Sequence, residues 1–148
     1  MNDNMEQVTL LTGLVTVRQL INSLLNLDMD WAASLSNRRD LVDYMEWEES
    51  NVLYVGPFDD DAHSVRDRTT VWDMGASSWV SGGSFIEPLE FKAGHGTISV
   101  RDLINLLINL DPEDSLAMFG SLYDCGLFVG KQHHNQFRYN RQAILTNF

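Results

Sequence analysis

Val17-Arg-Gln-Leu-Ile-Asn-Ser-Leu-Leu-Asn-Leu-Asp28 returns as Val100-Arg-Asp-Leu-Ile-Asn-Leu-Leu-Ile-Asn-Leu-Asp111, without gaps and at an offset of 83 residues. Nine of the twelve positions are identical, and Gly13 and Gly96 stand at matching places just before the two stretches. A second pair of blocks, Leu53-Tyr-Val-Gly56 and Leu127-Phe-Val-Gly130, lies at an offset of 74, so the first half carries about nine extra residues between its blocks. An internal repeat of this kind is the first feature to fix, because it decides how the rest of the chain is divided.

Each copy opens as a helix should. Thr16 is placed to cap and Gln19 follows three residues later, the spacing of a capping box, with Val15 and Leu20 forming a hydrophobic staple. In the second copy Ser99 caps, Asp102 replaces the glutamine at the positive end of the helix dipole, and Ile98 faces Leu103. Val17, Leu20, Ile21, Leu24 and Leu27 form an apolar stripe at spacings of three and four, as do Val100, Leu103, Ile104, Leu107 and Leu110. The extra apolar Leu106 and Ile108 predict that the second helix is the more central, and Asp111-Pro112 stops it.

Short strand-like runs follow each helix: Val52–Val55 and Thr69–Trp72 in the first half, and Leu116–Phe119, Leu127–Val129 and Ala143–Leu145 in the second. Phe85–Phe91, interrupted by Pro88, reads as an edge strand, and the Ser/Gly-rich 77–83 reads as a loop. Arg38–Glu49 reads as an extra helix, with Leu41, Tyr44, Met45 and Glu48 on one side. The expected fold class is α+β: two tandem helix-strand-strand units, 1–94 and 95–148, packed with pseudo-two-fold symmetry, with an acidic helix inserted in the first. One unit alone buries too little surface to be stable, so the two are expected to form one compact fold.

Of the 148 residues 44% are hydrophobic, enough for a core, and 21 acids against 10 bases give a net charge of −11. Twelve acids and four bases fall between Asp28 and Asp73, whereas three bases and no acid lie from Lys131 onward. Such a charge repels a phosphate backbone and favours basic protein surfaces as partners, so direct nucleic-acid binding is not expected. No run approaches the ~20 apolar residues of a membrane span, and the acidic N-terminus is wrong for a secretory signal. With Cys125 as its one cysteine, the chain is expected in the cytoplasm of a host cell.

No residue set forms a catalytic motif. As a nucleophile Cys125 would need a base and a lowered pKa, whereas Asp124 beside it would raise that pKa, and the adjacent His133 and His134 would point to opposite faces of a strand. His63 and His95 are isolated, Gly82-Gly83 lacks the Lys-Ser/Thr of a phosphate loop, and Asp59-Asp60-Asp61 lacks the alternation of a calcium loop. No cofactor, metal or catalytic residue is therefore expected, and the chain is read as a non-enzyme. The acidic insertion is the remaining candidate. On a helix, Asp40, Asp43 and Glu46, with Glu48 and Glu49 behind them, would set carboxylates roughly 5–6 Å apart, a spacing that imitates a phosphate strand. Trp47 among them is the expected exposed anchor and Trp72 a core residue. The predicted partner-binding set is Asp40, Asp43, Glu46, Trp47, Glu48, Glu49, Asp59, Asp60 and Asp61.

The stretch 97–130 resembles a pattern of small phage and mobile-element proteins: Ser99-Val-Arg-Asp-Leu-Ile, then Leu110-Asp-Pro-Glu-Asp114, then Tyr123-Asp-Cys-Gly126. It covers about a quarter of the chain and departs from the pattern at Arg101, where glycine is commoner. The resemblance implies a phage-type origin, and many such proteins, anti-CRISPR proteins among them, antagonise a host system. Together these readings predict an acidic inhibitor, possible as a homodimer, that binds a basic nucleic-acid-binding surface of a host defence enzyme such as a CRISPR-Cas effector. The alternative is a self-assembling structural or accessory phage module without inhibitory activity.

Overall fold

The computed structural model describes residues 10–43, 46–76, 89–121, 124–133 and 136–147; of 38–43, 46–48, 121, 124, 133 and 136 it describes the backbone. The elements in chain order are β1 (Leu11–Thr12), β2 (Val15–Thr16), α1 (Val17–Leu24), β3 (Ala32–Asp43), β4 (Glu46–Gly56), β5 (Thr69–Gly75), β6 (Gly94–His95), β7 (Ile98–Ser99), α2 (Val100–Leu107), β8 (Ser115–Ser121), β9 (Asp124–His133), β10 (Gln136–Tyr139) and β11 (Leu145–Thr146). One sheet runs β1-β5-β4-β3-β7; the other runs β2-β8-β9-β11-β6, with β10 also on β9. Both are mixed: β1 lies parallel to β5 and β6 parallel to β11, and the remaining pairs are antiparallel.

This corrects the expected fold class. The protein is mostly β, with two helices of eight residues each among the described residues, and not an α+β fold of helix-strand-strand units with an added helix. Residues 38–43 and 46–49 form the outer part of the β3–β4 hairpin. Helical spacing misled there because a strand ladder is non-local. The pairing that begins at Ala32↔Gly56 continues through Leu35↔Leu53 to Leu41↔Trp47 and adds ladder hydrogen bonds as it goes. A helix at 38–49 would forfeit them, and the Asp, Val, Tyr and Trp of this stretch are indifferent helix formers.

The two true helices start as their sequences dictate. Gln19 N–H donates to Thr16 Oγ1 at 3.1 Å and Thr16 N–H to Gln19 Oε1 at 2.8 Å, completing the capping box. Ser99 Oγ accepts from Asp102 N–H at 3.0 Å. Both helices end sooner than the stripes suggest, with C-caps Leu25 and Ile108. Leu27 is nonetheless buried, because the turn after α1 folds back with Leu27 N–H donating to Leu24 C=O at 3.0 Å. Ile108, off the stripe, is 62% exposed.

The strands next to the helices cross over. β2, in front of α1, pairs with β8 (Thr16↔Ser115), and β7, in front of α2, pairs with β3 (Ser99↔Ala32). The first-turn amides follow the same rule. Val17 and Arg18 N–H donate to Asp114 and Pro112 C=O at 2.9 and 3.0 Å, and Val100 and Arg101 N–H donate to Trp31 and Met29 C=O at 2.7 and 3.0 Å. Arg18 Nε bonds Glu113 at 2.9 Å and Arg101 bonds Asp30 at 2.7 Å. These ion pairs are more than half exposed and add little energy. Each sheet thus takes a strand from the other half of the sequence.

The core lies between the sheets and under the helices. β3 packs on β8 and β9, β4 on β8, and α1 on α2. Leu20, Leu24, Leu103, Leu107, Leu53, Trp72, Met118 and Leu127 are fully buried. Trp72 Nε1–H is satisfied by Gly13 C=O at 2.7 Å, and Met118 N–H by Met74 Sδ at 3.1 Å. Gly13 and Gly96 share a φ of +68°, with nothing within 4 Å of where a Cβ would stand. Replacement of either by alanine therefore meets no clash and isolates the backbone cost. Gly13→Ala and Gly96→Ala are each expected to lower stability by about 1 kcal/mol, read by denaturant unfolding.

Candidate functional site

The two long hairpins differ in length, and the excess of the first is an arm. β8–β9 closes at Ser121↔Asp124, and the offsets of 83 and 74 carry that pair onto Arg38↔Ser50 in β3–β4. The first hairpin runs on past this point, through Arg39↔Glu49, Asp40↔Glu48 and Leu41↔Trp47 to Asp43↔Glu46, with a register shift between Leu41 and Asp43. The nine extra residues are thus an extension of one hairpin. Residues 39–49 hold five acids and one base, a net −4 in eleven residues. Among the described residues no third strand flanks this part: β5 leaves β4 at Asn51 and β7 leaves β3 at Ala33.

Of the predicted set, Asp40, Asp43, Glu46, Trp47, Glu48 and Glu49 all lie on this arm. They occupy strand and not helix positions, so the expected helical face of carboxylates is replaced by a ribbon. The Cα atoms of Glu46 and Glu48 are about 6.7 Å apart along it. Two register pairs, Asp40↔Glu48 and Asp43↔Glu46, set acid opposite acid. Like charges directly across a ladder disfavour pairing, so this is not an arrangement that stabilises a hairpin.

Glu49 differs from the rest. Its Oε1 accepts from Asn37 Nδ2 at 3.0 Å, and the same Asn37 amide donates to Asn51 Oδ1 at 2.9 Å. Asn51 Nδ2 donates onward to Gly75 C=O at 2.9 Å, and the thiol of Cys125 lies 3.6 Å from Asn51 Oδ1. Asn37, Asn51 and Cys125 are 1%, 0% and 0% exposed. Asn37 spends both amide hydrogens on these acceptors, and its own Oδ1 is buried without a hydrogen-bond donor among the described residues. The chain of amides clamps the base of the arm to β5 and to the second sheet. Cys125 is part of this clamp and too deeply buried for a nucleophile.

Asp59, Asp60 and Asp61 lie beyond Gly56, at the other end of β4 from the arm's tip. Ten residue steps of strand separate Glu46 from Gly56, roughly 33 Å, so the two acidic groups do not form one surface. Asp59 is engaged within its own loop: its carboxylate accepts from Ser64 Oγ at 2.7 Å, His63 N–H at 2.8 Å and Ser64 N–H at 3.2 Å. Asp60 and Asp61 are exposed. His95 sits 3.1 Å from Thr146 Oγ1, His134 lies outside the described residues, and no group of three metal-ligating side chains occurs among the described residues. No helix of the described residues is long and apolar enough to cross a membrane.

Two features escaped the sequence. One is the Asn37–Asn51 clamp, since isolated asparagines give no signal until the register brings them opposite each other. The other is a pair of adjoining clefts of about 530 and 550 Å³ beside α2, which share Glu90, Phe91 and Asn109. Lys131 and Arg138 line the first and Lys92 the second, so both lysines of the chain face this groove. The basic C-terminal stretch was visible in the sequence; its convergence on a helix was not. No family model, curated protein or solved structure matches this chain.

The Asp59 loop yields a pH prediction. Its hydrogen bonds, the Ser64 hydroxyl first, hold the carboxyl below the usual aspartate range. The stabilisation is present above the unfolded pKa and is lost as the pH falls through the lower folded one. A carboxyl-carbon NMR titration is expected to give Asp59 a midpoint below the ~3.9 of an unstructured aspartate, and Ser64→Ala is expected to bring it upward.

Proposed function

We propose that this chain is an acidic binding protein of phage type, an inhibitor that docks the outer β3–β4 arm on a basic, nucleic-acid-binding surface of a host defence enzyme. A CRISPR-Cas effector is the partner class that the sequence pattern suggests. The observation that carries the reading is the arm itself. The ladder continues through 39–43 and 46–49, past the point where the counterpart hairpin has its last pair, and the stretch 39–49 collects a net −4. An extension that the matching hairpin does without is free to serve recognition, as surface insertions commonly do. The acid-on-acid register pairs are a cost to the hairpin, which a basic partner would relieve. The ribbon carries five acids in eleven residues, with Trp47 in register opposite Leu41, a composition suited to a basic groove.

The test separates arm from scaffold. Asp43→Lys, Glu46→Lys and Glu48→Lys are combined; Glu49 is left native because it bonds the buried Asn37. Wild-type protein used as bait in bacterial lysate is expected to retain a nucleic-acid-binding protein at low salt and release it at high salt. The triple variant is expected to keep its melting temperature and to bind that partner at least about tenfold more weakly. A folded triple variant with undiminished affinity overturns the proposal.

A further inference from the structure

Asp114 and Lys131 occupy places that the first half of the chain fills otherwise. Ser115↔Gly130 is the first pair of the β8–β9 ladder, as Ala32↔Gly56 is of β3–β4. The residues just outside these pairs are Asp114 and Lys131 in one case and Trp31 and Pro57 in the other. Their backbone duties correspond: Asp114 C=O receives Val17 N–H and Trp31 C=O receives Val100 N–H. Trp31 packs its indole against the core. Asp114 instead carries a carboxylate whose side chain is 9% exposed, 2.7 Å from Lys131 Nζ. The Asp114 hydrogen bond also holds the Lys131 ammonium above its ordinary pKa. Nothing in the backbone calls for an ion pair here, since Trp31 and Pro57 stand at the matching places of the first half, and burying a carboxylate costs energy that apolar packing avoids.

The pair opens onto the cleft of about 530 Å³, a size within the ~300–1,000 Å³ of small-molecule sites. Leu89, Phe91 and Leu110 supply apolar lining. Arg138 stands directly opposite Lys131 across β9–β10, is exposed, and has no ion-pair partner among the described residues. Lys131 is already committed to Asp114, so Arg138 is the cation with a free planar fork, the group that holds a carboxylate in two parallel hydrogen bonds. Glu90 and Asp111 also line the cleft, making three acids to two bases. A simple anion would meet net negative charge, and a simple cation would leave Arg138 unanswered. A ligand bearing both charges answers both.

We propose that this cleft binds a small zwitterion with an apolar body, the chemistry of a free amino acid with a large apolar side chain: carboxylate to Arg138, ammonium towards Glu90 and Asp111, and the apolar part over Leu89, Phe91 and Leu110. The site is separate from the acidic arm and does not rest on its function.

The experiment is an amide NMR titration of the full chain with L-phenylalanine, and in parallel with phenylacetate and phenethylamine, which each carry one of its charges. L-phenylalanine is expected to shift the Leu110, Asp111, Lys131 and Arg138 amides saturably, and Arg138→Gln to weaken that binding at least about tenfold. Absence of a saturable shift, equal binding of either single-charge analogue, or equal binding by Arg138→Gln overturns the proposal. The double variant Asp114→Leu with Lys131→Leu is expected to melt no lower than wild type. A large fall in its melting temperature would make the pair a scaffold element and remove the reason for assigning the site.

Discussion

Each helix of this protein completes its first turn on the loop that follows the other helix. Four backbone amides would otherwise lack acceptors at each N-terminus. Thr16 and Ser99 each satisfy one, and the carbonyls of Asp114 and Pro112, or of Trp31 and Met29, take two more. The exchange fixes the short strands too, because Thr16 and Ser99 are at once the last residues of β2 and β7 and the caps of α1 and α2. Either sheet without its borrowed strand would leave a helix start uncovered. An eight-residue helix is marginal alone, and this crossing, with the buried stripes of Leu20, Leu24, Leu103 and Leu107, is what holds both in place.

What could be read from the sequence was what is decided locally. The caps, the stripes and the matching glycines involve residues a few positions apart, and they appear where the spacing put them. The arm was misread because its structure is decided by residues far along the chain: Leu41 has Trp47 opposite only because Leu35 already has Leu53. The strands β1 and β6, two residues each, carry no periodicity to read, and their parallel partners β5 and β11 lie 61 and 51 residues onward by register. The acidic set was half legible. Its arm members share one ribbon, but Asp59–Asp61 followed them in sequence and parted from them in space once residues 46–56 proved extended.

Polar groups inside the molecule are placed with the same economy. Asn37 and Asn51 face each other in register, and their amides join Glu49, Gly75 and Cys125 in one chain of contacts at the root of the arm. The two amides meet only in this register, so a slip of the ladder by even one residue would take away the Asn37–Asn51 hydrogen bond. An apolar pair at the same place would tolerate such a slip more readily. The clamp thus specifies register at the point where flanking strands fall away.

That placement explains how the arm can carry charge against its own interest. A two-stranded ribbon is barely stable in water, and acids opposite acids make it less so. Here the ribbon is the continuation of a ladder whose inner part buries Ala32, Ala33, Leu35, Leu53 and Val55 in the core and in which Asn37 faces and hydrogen-bonds Asn51. The ladder beyond Asn37 and Asn51 is thus continued from an anchored base. In the second hairpin, which closes at Ser121↔Asp124, the same ladder ends where the core ends.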